Sequence, residues 1–206
     1  MVSDGQLNSV QLGLTDFIGV VTKRQTYRNL LYLFVTSFVG GLYFVGIFFG
    51  FFVALVLTLA LVGIPLFLVL LAGTRGAAEL ERRLTNRLLG TDIHSPPSGV
   101  NPFTYGWVSA LRELVVSDTT WKGIGFLAIK GVIAFLLPLF VLLAGVTSLA
   151  LILSPFGETV VWELWTIDTW IESLIAVPLG VLTGLATLHA LNGLARVTGS
   201  IAESLL

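Results

Sequence analysis

Cysteine is missing from the 206-residue chain, and charge is scarce, since only 11% of the residues are Asp, Glu, Lys or Arg. Without cysteine the chain has no disulfide, no thiolate metal site and no thiol catalysis. Soluble domains carry about 25% charged residues, so the low charge excludes a soluble globular domain. It also excludes a disordered chain. The formal net charge of −1 gives none of the basic excess that nucleic-acid binding needs.

Catalytic and metal-binding patterns are missing too. The two histidines, His94 and His189, have no histidine or carboxylate three or four residues away, so a helical metal motif is absent. The sequence has no phosphate-binding Walker motif, no Gly-x-Ser-x-Gly elbow and no dinucleotide fingerprint. We therefore expect a non-enzymatic protein with no catalytic residue, no metal and no cofactor.

Long apolar runs dominate what remains: 55% of the residues are hydrophobic and the mean hydropathy is +0.95. Residues 29–74 carry no charge and would measure roughly 69 Å as a helix, so this run must cross a membrane twice. We predict a turn at residues 46–50, with spans near 27–46 and 50–74. Gly46 and Gly50 also form a GxxxG pattern, whose alternative role is close helix packing.

Two further spans are predicted, one at about residues 123–148 and one at 173–195. The expected fold class is therefore an all-α polytopic membrane protein with four transmembrane helices. Kinks are expected at Pro65, and also at Pro138 and Pro178.

Basic residues lie on one side of the predicted spans. They precede the first span, occupy the segment between the second and third, and follow the fourth, whereas the turn and the loop at residues 154–172 have none. Because cytoplasmic flanks are enriched in Lys and Arg, we expect a multi-pass protein of the cell membrane with both termini cytoplasmic. No early basic region precedes the first span, so we expect it to be a retained anchor and not a cleaved signal.

Short amphipathic helices are predicted outside the spans. Apolar residues recur at helical spacing between residues 10 and 21, and again from Trp107 to Val115. We expect Arg75 to Leu89 to extend the second span as a helix, and Gly90 to end it. The Pro-rich stretch 91–102 is expected to be a linker.

The two halves of the chain resemble each other at an offset of 94 residues. Thr26-Tyr27-Arg28 and Thr120-Trp121-Lys122 both follow an amphipathic segment and open a span. We therefore predict one membrane domain, residues 1–206, with repeat one at about 10–90 and repeat two at about 103–195. Each repeat is a surface helix followed by a helical hairpin. Both enter from the same side, so the repeats are predicted to be parallel.

The predicted outer loop, residues 154–172, has no basic residue but carries four carboxylates and three tryptophans: Glu158, Glu163, Asp168, Glu172, Trp162, Trp165 and Trp170. One interpretation is a ligand or cation site of carboxylates between aromatic walls. The other is that tryptophan favours the membrane interface and that acidic residues remain on the side without basic ones. The carboxylate spacing matches no defined metal loop.

Two ionisable side chains, Lys130 and His189, fall inside predicted spans, where such groups are functional candidates. One hypothesis is that they face each other across the third and fourth spans as an intramembrane polar switch. The alternative is that Lys130 extends to the cytoplasmic surface and that His189 stays neutral, bonded to a backbone carbonyl.

Several short motifs resemble a known family, the putative sensor domain found ahead of some bacterial sensor histidine kinases and as free-standing archaeal proteins. They are Arg28-Asn-Leu-Leu-Tyr-Leu33, Gly63-Ile-Pro65, Leu80-Glu-Arg-Arg-Leu84 with Leu88-Leu-Gly90, and Thr120-Trp-Lys122. The resemblance covers about residues 25–195. It implies a membrane sensor module coupled to an output domain, and no catalytic residues. No kinase domain follows within this sequence, so we expect any output to come from a partner.

We therefore expect a membrane sensor that passes an outer-loop or bilayer stimulus to a cytoplasmic signalling partner, a kinase or a transcription regulator. The alternative is a small oligomeric transporter or channel built from the two repeats, and a structural scaffold is a third hypothesis. The lipid bilayer and a second copy of the chain are expected partners, whereas nucleic acid is not.

Overall fold

The computed structural model describes residues 17–60, 62–94, 107–157 and 159–206, without the side chains of residues 60, 107 and 108. Within these residues it has five helices and one two-stranded sheet: α1 (Arg24–Leu57), α2 (Gly63–Leu89), α3 (Trp107–Val116), α4 (Asp118–Leu153), β1 (Thr159–Val161), β2 (Trp165–Ile167) and α5 (Trp170–Leu205). The four helices other than α3 are long and apolar enough to span a membrane. The predicted fold class, an all-α membrane protein with four transmembrane helices, is confirmed.

The turn predicted at residues 46–50 is wrong, because α1 continues through it for 34 residues to Leu57. The chain reverses later, through a 3₁₀ turn at Thr58–Ala60. Gly63 is the glycine that this reversal requires, since a Cβ there would clash with the Ala54 carbonyl oxygen. Gly50 takes the alternative role of close packing, because a Cβ there would lie 2.9 Å from the Leu70 side chain.

The three prolines at which kinks were predicted occupy different positions in their helices. Pro65 lies in the first turn of α2, where the proline nitrogen has no hydrogen bond to lose, so the kink predicted there is wrong. Pro138 and Pro178 lie inside α4 and α5, where a proline removes one backbone hydrogen bond. A kink at each of these two positions stays a prediction.

The helical segments predicted beside the spans are found where the structure describes them. α2 continues to Leu89, and Gly90 ends it with a φ of 75°, a left-handed conformation that costs glycine little. α3 is the amphipathic helix predicted before the third span. Of the N-terminal segment 10–21, only residues 17–21 are described, and they are helical. The predicted linker lies outside the described residues apart from 91–94.

The loop before α5 contains a β-hairpin that the sequence reasoning missed. β1 pairs antiparallel with β2, with Val161 opposite Trp165. The Leu164 N–H donates to the Val161 carbonyl at 3.0 Å, and the two residues between them, Trp162 and Glu163, both have positive φ, 53° and 57°. Two left-handed residues match the twist of a hairpin, but they strain any residue that has a Cβ.

Two compact units are distinguished by their internal packing. One contains Met1–Leu30 and Pro138–Leu194, and its buried cluster consists of Leu151, Ile167 and Ala176. The other contains Leu31–Leu137 and Ala195–Leu206, and its buried cluster consists of Ile93, Phe126, Leu127 and Ala202. The second unit holds the Lys130 side chain.

Matching hydrogen bonds recur at the predicted repeat spacing. Two bonds at the start of α1 have counterparts 94 residues later, at the start of α4. The four bonds are between 2.7 and 3.1 Å long and join Thr26 to Lys23, Tyr27 to Val21, Thr120 to Ser117 and Trp121 to Val115. In each half, an aromatic side chain thus ties the start of the span to the segment before it.

The second helices, α2 and α5, correspond at the larger offset of 117 residues. Arg75 of α2 donates to the Thr120 hydroxyl at 2.8 Å, and Asn192 of α5, 117 residues later, donates to the Thr26 hydroxyl at 3.1 Å. The second half therefore has 23 additional residues between its two spans, in the segment that contains the β-hairpin.

Close helix contacts repeat at the same two offsets. A Cβ at Gly63 would meet residues 54–58, and a Cβ at Gly180, 117 positions later, would meet residues 148–152, which lie 94 positions after 54–58. Both glycines let the second helix approach the first. These recurrences are of the kind that a repeat would produce, and the repeat and its limits stay a prediction.

Candidate functional site

One face of α2 carries small and polar side chains. Thr74, Ala78, Glu81 and Thr85 follow one another at spacings of three or four residues, so they share one face of the helix. All four are buried, and Glu81 and Thr85 are completely inaccessible. Small side chains let membrane helices approach closely, and this stripe places a carboxylate in the interior of the protein.

Lys130 of α4 contacts that carboxylate. Its side chain is only 1% exposed, and its ammonium forms a salt bridge with Glu81. The ammonium also donates a hydrogen bond to the Tyr32 hydroxyl of α1 at 3.2 Å. It lies 4.7 Å from the centre of the Tyr32 ring, within the range of a cation–π interaction. The charged pair therefore connects three helices, α1, α2 and α4.

Close backbone packing surrounds the pair. A Cβ at Gly40 of α1 would lie 2.5 Å from the Ala134 Cβ and 3.2 Å from the Lys130 carbonyl oxygen. A Cβ at Gly131 would lie 3.1 Å from the Phe44 Cβ. α1 and α4 thus meet through glycines on both sides, which leaves no room for water between their backbones at this level.

Burial strengthens the attraction between the two charges, but it also removes both charges from water at a cost in free energy. Each charge loses several kcal/mol of hydration, which the attraction offsets only when further hydrogen bonds complete the geometry. Among the described residues, Glu81 Oε1 and Thr85 Oγ1 are buried without a good hydrogen-bond geometry to any partner, and the buried Tyr43 hydroxyl lies beside Glu81. Ionisable groups buried in membrane spans with such incomplete partnering concentrate at functional sites.

Sequence reasoning found Lys130 but missed Glu81. The carboxylate lies beyond the first charged residue of α2, in the segment interpreted as a solvated extension. The available signal was the stripe of small and polar residues that Glu81 shares. The Lys130 ammonium contacts Glu81 in the interior. It does not extend to the surface, in contrast to the alternative interpretation.

His189 has a different environment. Its Nε2 lies 3.0 Å from the Phe17 carbonyl oxygen, and its ring stacks on the Phe17 ring at 4.7 Å between centroids. A bond from His189 to a backbone carbonyl is what the alternative interpretation proposed. The contacts described above for Lys130 and His189 are thus with other residues, and the polar switch between them stays a prediction.

The carboxylates of the loop at residues 154–172 differ in their structural roles. Glu158 lies outside the described residues, and Glu163 and Asp168 are exposed. Glu172 accepts the Thr169 N–H at 3.4 Å, while Thr169 Oγ1 accepts the Glu172 N–H at 3.3 Å. This reciprocal pair is a capping box that begins α5, so Glu172 has a structural role.

The three tryptophans also differ. The Trp162 indole N–H donates to Thr147 Oγ1 at 2.6 Å, Trp165 packs against the buried cluster of Leu151, Ile167 and Ala176, and Trp170 is 81% exposed. Within the described residues, no three His, Asp or Glu side chains come together as a metal site. Ligand binding by the loop at residues 154–172 stays a prediction.

Comparison with known proteins gives one result. Residues 32–206 match the model of a family described as "Putative sensor". This range contains Tyr32, Glu81 and Lys130. It begins later than the resemblance at residues 25–195 suggested. This is not an enzyme family. Searches of curated proteins and of solved structures found no match. Because the matched range covers most of its 206 residues, the chain belongs to the Putative sensor family.

Proposed function

We propose that this protein is a non-enzymatic membrane sensor in which the Lys130–Glu81 pair holds one packing of α1, α2 and α4. A stimulus from the bilayer or from the outer loop would favour a second packing, and the cytoplasmic helical segments would pass the change to a kinase or a transcription regulator. The observation that carries the proposal is the buried charged pair. Such a switch needs a stimulus with different affinities for the two packings.

The repeat supports a role for this pair beyond folding. At the offset of 94, Lys130 corresponds to Thr36, and at the offset of 117, Glu81 corresponds to Thr198. Both threonines are buried, with 2% and 0% exposure. Each half of the chain therefore contributes one charge to the Lys130–Glu81 pair and a buried threonine at the position that corresponds to the charge of the other half. Since the fold accommodates two threonines at the corresponding positions, the needs of folding alone do not explain the two charges of the Lys130–Glu81 pair.

Contacts next to the pair give a route towards the cytoplasmic side. Arg82, the neighbour of Glu81, donates to the Leu206 carbonyl of the α5 end at 3.1 Å. Arg75, six residues before Glu81 on α2, donates to Thr120 at 2.8 Å and lies 3.6 Å from Glu113 of α3. A shift of α2 that breaks the charged pair would also change its contacts with α3 and α5.

A site-specific photo-crosslinking experiment in cells tests this function. The crosslinker replaces Arg83 or Arg112, both exposed on the segments that we expect to be cytoplasmic, and the control replaces Leu164, 89% exposed in the outer hairpin. We expect positions 83 and 112 to capture a kinase or a transcription regulator, which position 164 does not. Introducing Lys130→Thr with Glu81→Thr should change the capture yield. Capture of this chain alone, or an unchanged yield, contradicts the proposal.

The buried pair also favours a second candidate, ion-coupled transport, because charged groups between spans mark ion pathways. Purified protein in liposomes loaded with a pH-sensitive or cation-sensitive dye distinguishes the two functions. Flux that the double threonine variant abolishes supports a transporter or channel. Liposomes that stay as tight as protein-free liposomes support the sensor.

A further inference from the structure

A lateral groove lies between α1 and α2, beside the charged pair. Its volume is about 300 Å³, and its lining is apolar, including Phe51, Leu70 and the ring of Tyr43. The groove exists because Gly46 and Gly73 line it, and a Cβ at either position would meet nothing within 4 Å. It is open along one side, so a molecule can enter from the surroundings of the two helices.

The position of the groove decides what those surroundings are. Apart from Ala77 and Leu127, every lining residue falls within the charge-free run 29–74, and both helices are membrane spans. Leu42 and Val69 of the lining are 73% and 67% exposed. Apolar surface at this depth faces lipid hydrocarbon, so the groove opens into acyl chains and not into water.

We propose that the groove binds one acyl chain of a bilayer phospholipid. A single alkyl chain is narrow enough, and it needs no hydrogen-bond partner. An apolar lining gives it many dispersion contacts, and a volume of about 300 Å³ is at the lower end of ligand pockets.

The groove adjoins the charged pair through Tyr43. The Tyr43 ring forms part of the groove wall, and its buried hydroxyl lies beside the Glu81 carboxylate. A chain that fills the groove therefore holds Tyr43 against the carboxylate, and an empty groove lets the ring move away. This link to the pair rests on the proposed sensor function, whereas acyl-chain binding does not.

Lipid retention tests the inference. The full chain is reconstituted in vesicles of dioleoyl phosphatidylglycerol and extracted in mild detergent, and retained lipid is counted by native mass spectrometry. Gly46→Leu and Gly73→Leu each extend a side chain into the groove. The matched control is Gly41→Leu, since Gly41 lies on α1 outside the groove lining and a Cβ there also meets nothing within 4 Å.

We expect the wild type and Gly41→Leu to retain one phospholipid per chain. Both groove variants should lose at least about tenfold in retention, the factor that corresponds to losing contact with two methylene groups. Helix content by circular dichroism confirms folding, and the two groove variants act as checks on each other. Equal retention by all four proteins overturns the inference, and so does a wild type that retains no lipid. The crosslinking result is independent of either outcome.

Discussion

A charge in the interior of a membrane protein needs a partner, and among the described residues Lys130 has four: the Glu81 carboxylate, the Tyr32 hydroxyl, the Tyr32 ring and the Phe126 ring. Removing one charge leaves the other buried without compensation. Removing both eliminates the hydration cost as well. Single and double substitutions therefore separate the cost of an orphaned charge from the contribution of the pair.

Lys130→Met should lower the free energy of unfolding by about 3–5 kcal/mol, because it leaves the Glu81 carboxylate buried and unpaired. Lys130→Thr with Glu81→Thr should cost less than the single substitution. Reversible unfolding in mixed micelles measures both, and Lys122→Met, at an exposed position of the same helix, is the control. A double variant less stable than the single one would contradict this account.

Tyr32→Phe removes one acceptor from the Lys130 ammonium and keeps the aromatic ring. A hydrogen bond to a charged group contributes about 1.5–3 kcal/mol, so unfolding in the same micelles should become easier by about that amount. Tyr27→Phe is the control, because the Tyr27 hydroxyl is exposed and bonds only the Val21 carbonyl in the described contacts. Equal losses of stability in the two variants would contradict a specific contribution of the hydrogen bond from Lys130 to Tyr32.

At the scale of the elements, glycine positions decide how the helices pack. Gly40 and Gly41 are neighbours in the sequence, yet only Gly40 faces α4 closely. The two cannot be distinguished by composition or spacing within α1, because both lie in the same apolar run. Their difference arises from the approach of a second helix.

Gly40→Ala should destabilise the protein by about 1–3 kcal/mol, the usual cost of overpacking, because its new Cβ would lie 2.5 Å from the Ala134 Cβ. Gly41→Ala has open space and should stabilise α1 by up to about 1 kcal/mol, since alanine is the better helix former. Thermal unfolding in detergent, followed by circular dichroism, measures both. A loss of stability in Gly41→Ala as large as in Gly40→Ala would rule out the close helix contact.

The β-hairpin stores strain at its turn. Glu163 has a φ of 57°, and a left-handed residue with a Cβ costs roughly 1–2 kcal/mol. Glu163→Gly should therefore raise the midpoint of thermal unfolding, whereas Glu163→Ala should not, although both remove the exposed carboxylate. If the two variants melt at the same temperature, the turn is not strained.

At the scale of the whole molecule, the absence of cysteine makes the membrane topology directly measurable. Leu164→Cys places a thiol in the β-hairpin, and Ser204→Cys places one near the end of α5; both positions are exposed. A membrane-impermeant maleimide should label position 164 in intact cells and position 204 only after permeabilisation, because basic flanks stay cytoplasmic. The reverse pattern would invert the predicted orientation.

Much of the fold was predictable because a membrane span requires a long apolar run, which is visible in the sequence. Apolar runs predicted the spans, and Gly90 predicted the end of α2. The first turn was misplaced because Gly46 and Gly50 fit a turn and a packing surface equally well. The hairpin at residues 159–167 was missed because its strands have only three residues each, too few for a clear alternation.

The sequence by itself determined the membrane class and four helices, because hydrophobicity and charge act through the solvent and need no knowledge of neighbours. It also identified Lys130 as a candidate. Only the tertiary structure decided that Glu81 is its partner and that Gly40 and Gly63 lie at close contacts. The physical reason is that a salt bridge or a close approach is a property of two distant segments, and each segment carries only half of the pattern.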